Sequence, residues 1–219
     1  MSTSPPPPSD QPQSAERSSG GRARSDAKRE AILGAARRLF LDHPFDRVSM
    51  DALAQTAGVS KVTIYAHFAS KEDVFVAALS SETDVVFGGA AEPAATADEL
   101  EATLAAFGAE FVLMITTPDV HALHTVMMTE GRRHPALPQR FYETVVRRCT
   151  DELGAALADA TARGLIACPD PMLAAMQFIA LSQGEFFYRL QLGAPPPEEA
   201  EVRAYAAAAA AMFLRAYRA

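Results

Sequence analysis

The stretch VSMDALAQTAGVSKVTIYAHFASKEDVF, residues 48–75, contains two helix starts on either side of a single glycine. Ser49 and Ser60 stand where a side-chain oxygen can accept a hydrogen bond from the first turn of a helix, and Gly58 permits a tight turn between them. Each cap is flanked by an apolar pair at the spacing of a hydrophobic staple: Val48 with Leu53, and Val59 with Ile64. The stretch therefore predicts a helix-turn-helix.

The second of these helices has an inward and an outward side. Ile64 and Phe68 lie about 40° apart on a helical wheel with about 100° per residue, and they form the inward side. Val62 and Ala66 lie nearly opposite, so the outward side is small at its centre and polar at its flanks. Such a helix can enter the major groove of DNA, where small side chains allow close approach and Val62 or Ala66 could contact a thymine methyl.

The polar residues around that outward side divide into two predicted roles. Lys61 and Thr63 are in the first turn, where recognition helices usually read base edges. Four residues are predicted to contact phosphates on the groove rims or at helix N-termini: Ser49, Tyr65, His67 and Lys71. Ser60, which caps the helix, belongs to the same candidate surface. A capped helix pair also occurs as a packed corner without DNA, so the corner alone leaves both interpretations open.

Charge is distributed unevenly along the chain. The net charge is -7, which gives no general attraction to nucleic acid. Residues 17–71, however, hold ten Lys or Arg against five Asp or Glu, whereas residues 72–219 hold ten against twenty. A basic N-terminal part on an acidic body predicts a polyanionic partner for the first part only.

Composition and periodicity predict an all-α fold. The chain of 219 residues is rich in Ala and Leu and contains no Trp. Residues 1–24 are rich in Pro, Ser and Gly and predict a disordered arm; residues 25–70 form the helix-turn-helix domain, and residues 71–219 form a helical body. Helices are predicted over the ranges 25–41, 50–57, 60–68, from 70 onward, 98–116, 118–131, 136–163, 171–192 and 197–217, with a linker at 88–97. Thr117 and Asp170 each precede a proline and are predicted to cap their helices.

No apolar run reaches the roughly 18 residues of a membrane span, and the N-terminus lacks the apolar segment of a signal peptide. These features predict a cytoplasmic protein without a membrane partner. We also find no nucleophile–base constellation, phosphate loop or zinc spacing, so we predict that the chain is not an enzyme and has no cofactor. His121 and His124 share a helix face but have no clear third ligand, so no metal site is predicted. Cys168, beside a proline, is interpreted as an exposed loop residue, and Cys149 as a packing residue.

The run RVSMDALAQTAGVSKVTIYAHFASKEDVFVAAL, residues 47–79, closely resembles the DNA-binding signature of the TetR/AcrR family of bacterial transcriptional regulators. The resemblance implies that Lys61, Val62 and Thr63 occupy base-reading positions. It also implies phosphate positions, in agreement with the list above: Ser49, Tyr65, His67 and Lys71. Many members have a small or basic residue at the position of Val62, so the operator sequence does not transfer.

The body resembles the C-terminal domain of an AefR-like branch of the same family. The resemblance is carried by HTVMMTEGRRHPALPQRFYETVVRR, residues 124–148, and ARGLIACPDPMLAAMQFIALSQGEFFYRL, residues 162–190. It implies an effector-binding and dimerisation domain whose last two helices form a four-helix bundle with the partner chain. The apolar surface for that bundle is predicted from seven residues: Met176, Ile179, Phe186, Phe187, Met212, Phe213 and Leu214.

Met and aromatic residues on the middle helices predict a region for an apolar effector, although each of them alone is a typical core residue. The candidates are Phe107, Phe111, Met114, His121, His124, Met127, Met128 and Phe141. Taken together, the sequence predicts a homodimeric transcriptional repressor that binds a palindromic double-stranded DNA operator and is released by a small apolar or amphipathic effector. The alternative is a ligand-binding or protein-interaction bundle without specific DNA binding.

Overall fold

The computed structural model describes residues 14–81 and 94–218, and every regular element in these ranges is helical. Besides the helices, the described residues contain one isolated antiparallel bridge, between Ile166 and Arg218. The predicted all-α fold is confirmed. The first part of the predicted 88–97 linker and the first half of the predicted arm lie outside the described residues.

The first helix, α1, begins at Ser14 and ends at Asp42. The sequence predicted a flexible arm through residue 24, so the helix begins earlier than predicted. The physical reason is that each residue added to an existing helix gains a backbone hydrogen bond, even where no side chain is needed for a core. The buried face of α1 begins at Ile32 and continues through Leu33, Ala36 and Phe40.

Three further helices complete an N-terminal head: α2 (Met50–Ala57), α3 (Lys61–His67) and α4 (Lys71–Ser80). Each has a serine cap whose hydroxyl oxygen accepts a backbone N–H at 3.1 Å: Ser49 from Ala52, Ser60 from Thr63 and Ser70 from Asp73. Gly58 has a φ of 66° and ends α2 in the left-handed region, as its predicted turn requires. These caps and this glycine determine where α3 begins.

Three phenylalanine rings form the centre of the head. Phe45 lies in a short 3-10 helix, Phe45–Arg47, and is fully buried. Its ring centroid lies 5.5 Å from that of Phe40 on α1 and 5.7 Å from that of Phe75 on α4, the latter edge to face. The inward residues of α3, Ile64 and Phe68, are buried in the same core. The inward side of α3 is therefore fixed in the core, which holds the outward side toward solvent.

The body consists of the remaining helices. They are α5 (Ala97–Ile115), α6 (Pro118–Glu130), α7 (Ala136–Phe141), α8 (Arg147–Ala162), α9 (Pro171–Gln183), α10 (Phe186–Gln191) and α11 (Glu199–Ala216). Helix α5 packs along α11, and α9 packs on both of them and on α8. No single described helix is long and apolar enough to cross a membrane; α5 and α6 together reach the length and composition but are bent by 68°.

The predicted helices 136–163 and 171–192 each contain a change that the periodicity did not indicate. Between α7 and α8 the segment Tyr142–Val146 is a π-helix, which adds a residue to the turn. Between α9 and α10, Gly184 has a φ of 51° and ψ of -139° and ends α9. A Cβ at this glycine would lie 2.9 Å from the ring of Tyr205, so both the backbone and the neighbouring ring require glycine here.

Two local predictions were wrong. Thr117 does not cap α6 with its side chain; its hydroxyl donates instead to the carbonyl of Met114 at 3.0 Å, at the end of the preceding helix. Asp170, in contrast, caps α9 as predicted, accepting from the N–H of Leu173 at 3.0 Å.

The second wrong prediction concerns Cys168, which is buried rather than exposed in its loop. Burial raises the pKa of the Cys168 thiol, which reduces the thiolate that redox chemistry requires.

Among the described residues, an ion pair and a histidine–carboxylate contact join the head to the body. Arg140 on α7 contacts Asp73 in the first turn of α4. His134, in the turn after α6, has its Nε2 atom 2.8 Å from Oδ1 of Asp46 in the 3-10 helix, and its ring lies 4.8 Å from that of Phe45. Helix α4 therefore contacts the body near its N-terminus, whereas Leu79 near its C-terminus lines a cavity in the body.

Candidate functional site

The outward side of α3 is an exposed surface with little bulk at its centre. Val62 has 78% of its surface accessible and Tyr65 has 51%, high values for apolar and aromatic residues. Ala66, one turn after Val62, is also exposed, and His67 is half-buried at the end of the helix. The orientation is the one predicted from the helical wheel.

Two predicted base-reading residues already have intramolecular partners. Lys61 donates from Nζ to Oδ2 of Asp51 on α2 at 2.9 Å, and this hydrogen bond raises the pKa of Lys61. Both side chains are largely exposed, and exposed ion pairs are weak in water, so DNA can compete for the lysine. The hydroxyls of Thr63 and Ser60 lie 2.8 Å apart, which orients Thr63.

The two residues predicted at helix N-termini are also used within the head. The hydroxyl oxygen of Ser49 accepts from Ala52, so one acceptor position of the serine is occupied by its cap. Lys71 donates from Nζ to the carbonyl of Phe45 at 2.8 Å, and the same atom lies 4.2 Å from the centroid of the Phe45 ring. An ammonium has three donors, so a phosphate contact from Lys71 stays a prediction alongside this structural role.

A cavity of about 240 Å³ lies in the body beside α4. Its wall includes residues from α4, α5, α6, α7, the π-helix, α8, α9 and α10: Leu79, Phe111, Met114, Ile115, Val120, His124, Phe141, Val145, Val146, Cys149, Ile179, Gln183 and Phe187. The π-helix contributes Val145 and Val146 to this wall. Such segments often occur at functional sites.

The structure brings together only part of the predicted effector region. Phe111, Met114, His124 and Phe141 line the cavity. Four other candidates do not: Phe107 stacks on Phe111, His121 packs edge to face on Phe187, Met127 is in the head-side core, and Met128 is 59% exposed. Sequence reasoning missed seven lining residues: Leu79, Ile115, Val120, Val145, Val146, Cys149 and Gln183. Two signals could have found some of them, namely the four-residue spacing of Phe141, Val145 and Cys149, and a glutamine, Gln183, at the end of an apolar helix.

The seven residues predicted for the dimer interface differ in their exposure. Phe186 and Phe213 are buried inside the chain, so they cannot supply an interface, and Ile179 and Phe187 line the cavity. Leu214 is half-buried against the core. Met176 on α9 and Met212 on α11 are 56% and 48% exposed and are available. Other large exposed side chains on the same helices were not predicted: Met172, Leu173 and Tyr205.

Both predicted histidines have a buried nitrogen without a hydrogen-bond partner in the described chain: Nε2 of His121 and Nδ1 of His124. The Phe187 ring lies edge to face with both imidazoles, at centroid distances of 5.8 Å from His121 and 4.9 Å from His124. Burial, and to a smaller extent the charge of His121, lowers the pKa of His124. A neutral imidazole offers one donor and one acceptor.

The described residues include one group with the atoms to hold a metal ion. Asp46, Glu130 and His134 place ligand atoms within 4.8 Å of one another, although Asp46 is exposed. The pair His134–Asp46 within this group already joins the head to the body. We therefore interpret the group as a junction between the two parts.

Comparison with known proteins identifies a family for both the head and the body of the chain. Residues 32–78 match the bacterial regulatory proteins of the tetR family, and residues 102–219 match the C-terminal domain of AefR-like transcriptional repressors. The chain belongs to the TetR family. The resemblance stated from the sequence is thereby confirmed, and because the family consists of transcription regulators, the chain is not an enzyme.

Relatives in the TetR family match over different lengths. A TetR-family regulator from Mesorhizobium loti is 25% identical with a TM-score of 0.71, covering 90% of this chain and 99% of that one. The flavonoid-responsive regulator FrrA is 31% identical with a TM-score of 0.69, covering 87% and 97%. The transcriptional activator FasR of Mycolicibacterium smegmatis is 37% identical, but only over 70 residues, or 32% of each chain. The match with such curated relatives thus spans about a third of their length.

The lowered pKa of His124 predicts how the stability of this TetR-family chain varies with pH. The unfolded chain takes up a proton near the usual value of 6.5, whereas folded His124 takes it up only at lower pH. The stabilising contribution is therefore fully present above pH 6.5 and is lost as pH falls through the folded pKa. We expect wild type to lose more of its thermal stability than His124→Gln between about pH 7.5 and 5. His43→Gln, at an exposed position on the head, is the control; equal losses in all three proteins would contradict the prediction.

Proposed function

We propose that this protein is a homodimeric transcriptional repressor that binds a palindromic operator through α3 and is released by a small apolar or amphipathic effector. The single observation that supports this best is the wall of the body cavity. Leu79 of α4 lines that cavity, and Asp73 on the same helix pairs with Arg140 of the body. An occupant of the cavity therefore contacts a helix that supports the DNA-reading head.

DNA recognition is proposed for the outward side of α3. Lys61, Val62 and Thr63 would meet base edges, and Tyr65 and His67 would meet phosphates. The exposure of Val62 and Tyr65 supports this, since a core role would bury them. Ser60 would position the helix through its cap. Ser49 and Lys71 would contact phosphates with the hydrogen-bonding capacity that their contacts inside the head leave.

A dimer is proposed because one short recognition helix covers few base pairs. Two heads on a two-fold axis can address half-sites about 34 Å apart, one turn of DNA. The exposed apolar residues of α9 and α11 support an interface on that side of the body: Met172, Leu173, Met176, Tyr205 and Met212. Phe186 and Phe213 are no longer part of the proposal. We also propose a cytoplasmic location, because a bacterial operator lies in the cytoplasm.

Repression is proposed on the similarity of residues 102–219 to AefR-like repressors, which covers more of the chain than the similarity to the activator FasR. The proposed effector site is the cavity rather than the whole predicted region. FrrA is described as flavonoid-responsive, which makes hydroxylated planar compounds suitable first probes.

The test is a titration of duplexes selected from fragmented source DNA. We expect one preferred fragment with an inverted repeat, bound by two chains, with an affinity at least about 1,000-fold above that for random duplex. Fluorescence anisotropy across a salt series measures both affinities. Equal binding to all fragments would instead support a helical bundle without specific DNA binding. Transcription in vitro from the selected promoter then distinguishes repression from activation.

A further inference from the structure

The wall of the body cavity is apolar with a few polar groups, as is usual for ligand pockets, and its described side chains include no Asp, Glu, Lys or Arg. None of its thirteen described residues carries a formal charge at neutral pH when His124 is neutral. Its polar groups are the imidazole of His124, the amide of Gln183 and the thiol of Cys149. The cavity can therefore offer hydrogen bonds but cannot neutralise a charge.

His124 has physical reasons to stay neutral. Its ring is partly enclosed by aromatic edges, with Phe187 at 4.9 Å and Phe141 at 6.3 Å between centroids. His121, one helical turn away, opposes a second positive charge. The Nδ1 atom of His124 is buried without a partner in the described chain. A neutral imidazole on an apolar wall accepts from a ligand hydroxyl or donates to a ligand oxygen, but does not form an ion pair.

We propose that the effector is a compact uncharged molecule with an apolar framework and at least one hydroxyl, recognised by hydrogen bonds to His124 and Gln183, and that carboxylates are excluded. The proposal rests on the proposed function, because it concerns the same site. A buried carboxylate without a cationic partner loses more hydration than a neutral imidazole and an amide can return.

The size of the cavity adds a second restriction. At about 240 Å³ it is below the usual range of about 300–1,000 Å³ for ligand pockets. A molecule of two fused or linked rings is therefore favoured over one with a long chain or a bulky polar group.

The experiment compares ligands that share a framework and differ in one group. Isothermal titration of the full chain at neutral pH uses phenol and carboxylate pairs built on naphthalene and on biphenyl, such as 4-phenylphenol and 4-phenylbenzoate. We expect each phenol to bind at least about 100-fold more tightly than its carboxylate, since burial of an unpaired ion costs several kcal/mol. Equal or tighter binding of the carboxylates, or no binding by any phenol, would overturn the proposal.

Two variants test the named groups. His124→Leu removes both ring nitrogens while keeping an apolar side chain, and should weaken phenol binding by roughly 3- to 10-fold, as expected for one lost hydrogen bond. Met128→Leu, on the same helix but exposed, should bind as wild type does. Gln183→Lys supplies the missing cation and should shift preference toward the carboxylate. If His124→Leu binds phenols as wild type does, His124 does not recognise them.

Operator binding separates this proposal from the function on which it depends. A phenol that binds in the cavity without changing operator affinity would reject the effector role and leave the ligand selectivity standing. A carboxylate that releases the operator would reject the selectivity and leave the effector role standing.

Discussion

Val62→Glu should remove specific operator binding, with a loss of at least about 100-fold, while the fold stays intact. Val62 is 78% exposed at the centre of the outward side of α3, so the substitution disturbs no core. In the complex it would hold a carboxylate against the phosphate-rich groove, and juxtaposed like charges cost several kcal/mol. Anisotropy titration against the selected operator measures the loss, and circular dichroism checks the helix content.

Met128→Glu is the matched control, because it also replaces an exposed apolar residue by glutamate and changes the net charge equally. Met128 lies on α6 in the body. The operator affinity of Met128→Glu should stay within about 3-fold of wild type, because a charge far from the DNA is screened by salt. If Val62→Glu still binds the operator with wild-type affinity, α3 does not enter the groove and the proposed DNA surface is wrong.

Phe45→Ala should cause the largest loss of stability from a single substitution in the head. Phe45 is fully buried and contacts the rings of Phe40 and Phe75, and its carbonyl and ring both hold Lys71. Truncation of a buried phenylalanine to alanine typically costs about 3–5 kcal/mol. For a chain of this size that corresponds to a fall in melting temperature of about 6–20 °C.

Thermal and urea unfolding of Phe45→Ala and Phe45→Leu measure this effect. Leucine leaves a smaller void, so Phe45→Leu should lie between wild type and Phe45→Ala. Because Phe45 also contacts His134, the substitution should loosen the junction of head and body as well as the head itself. Unfolding of Phe45→Ala at the wild-type midpoint would show that the aromatic cluster does not determine the stability of the head.

The head was predictable because its structure depends on local chemistry. Serine caps, a glycine in the left-handed region and apolar residues at fixed spacings determine α2 and α3 within a few residues of each other in sequence. The helical wheel also placed Val62 outward and Ile64 inward correctly. The contact of Lys71 with Phe45 was not predictable, because these residues are far apart in sequence and meet only through the packing of α4.

The body was predictable as helices but not as a site. Almost every candidate is an apolar residue at helical spacing, and such a residue can face a core, a cavity or a partner chain. Phe213 and Met212 are neighbours with opposite outcomes, one buried and one exposed, because α11 turns by about 100° per residue. The π-helix and the break at Gly184 change the phase of the helix, which a regular period cannot represent.

The break at Gly184 gives the next residues two separate surroundings. Phe186 is buried with Val112 and Val202 between α5 and α11, while Phe187 lines the cavity. A residue packed in the core, Phe186, is thus followed directly by a residue, Phe187, that a molecule in the cavity can contact. Because the two residues are adjacent in the chain, we expect a shift of Phe187 to move the backbone that holds Phe186. We therefore expect occupancy of the cavity to affect α11, which also carries part of the proposed contact between two subunits.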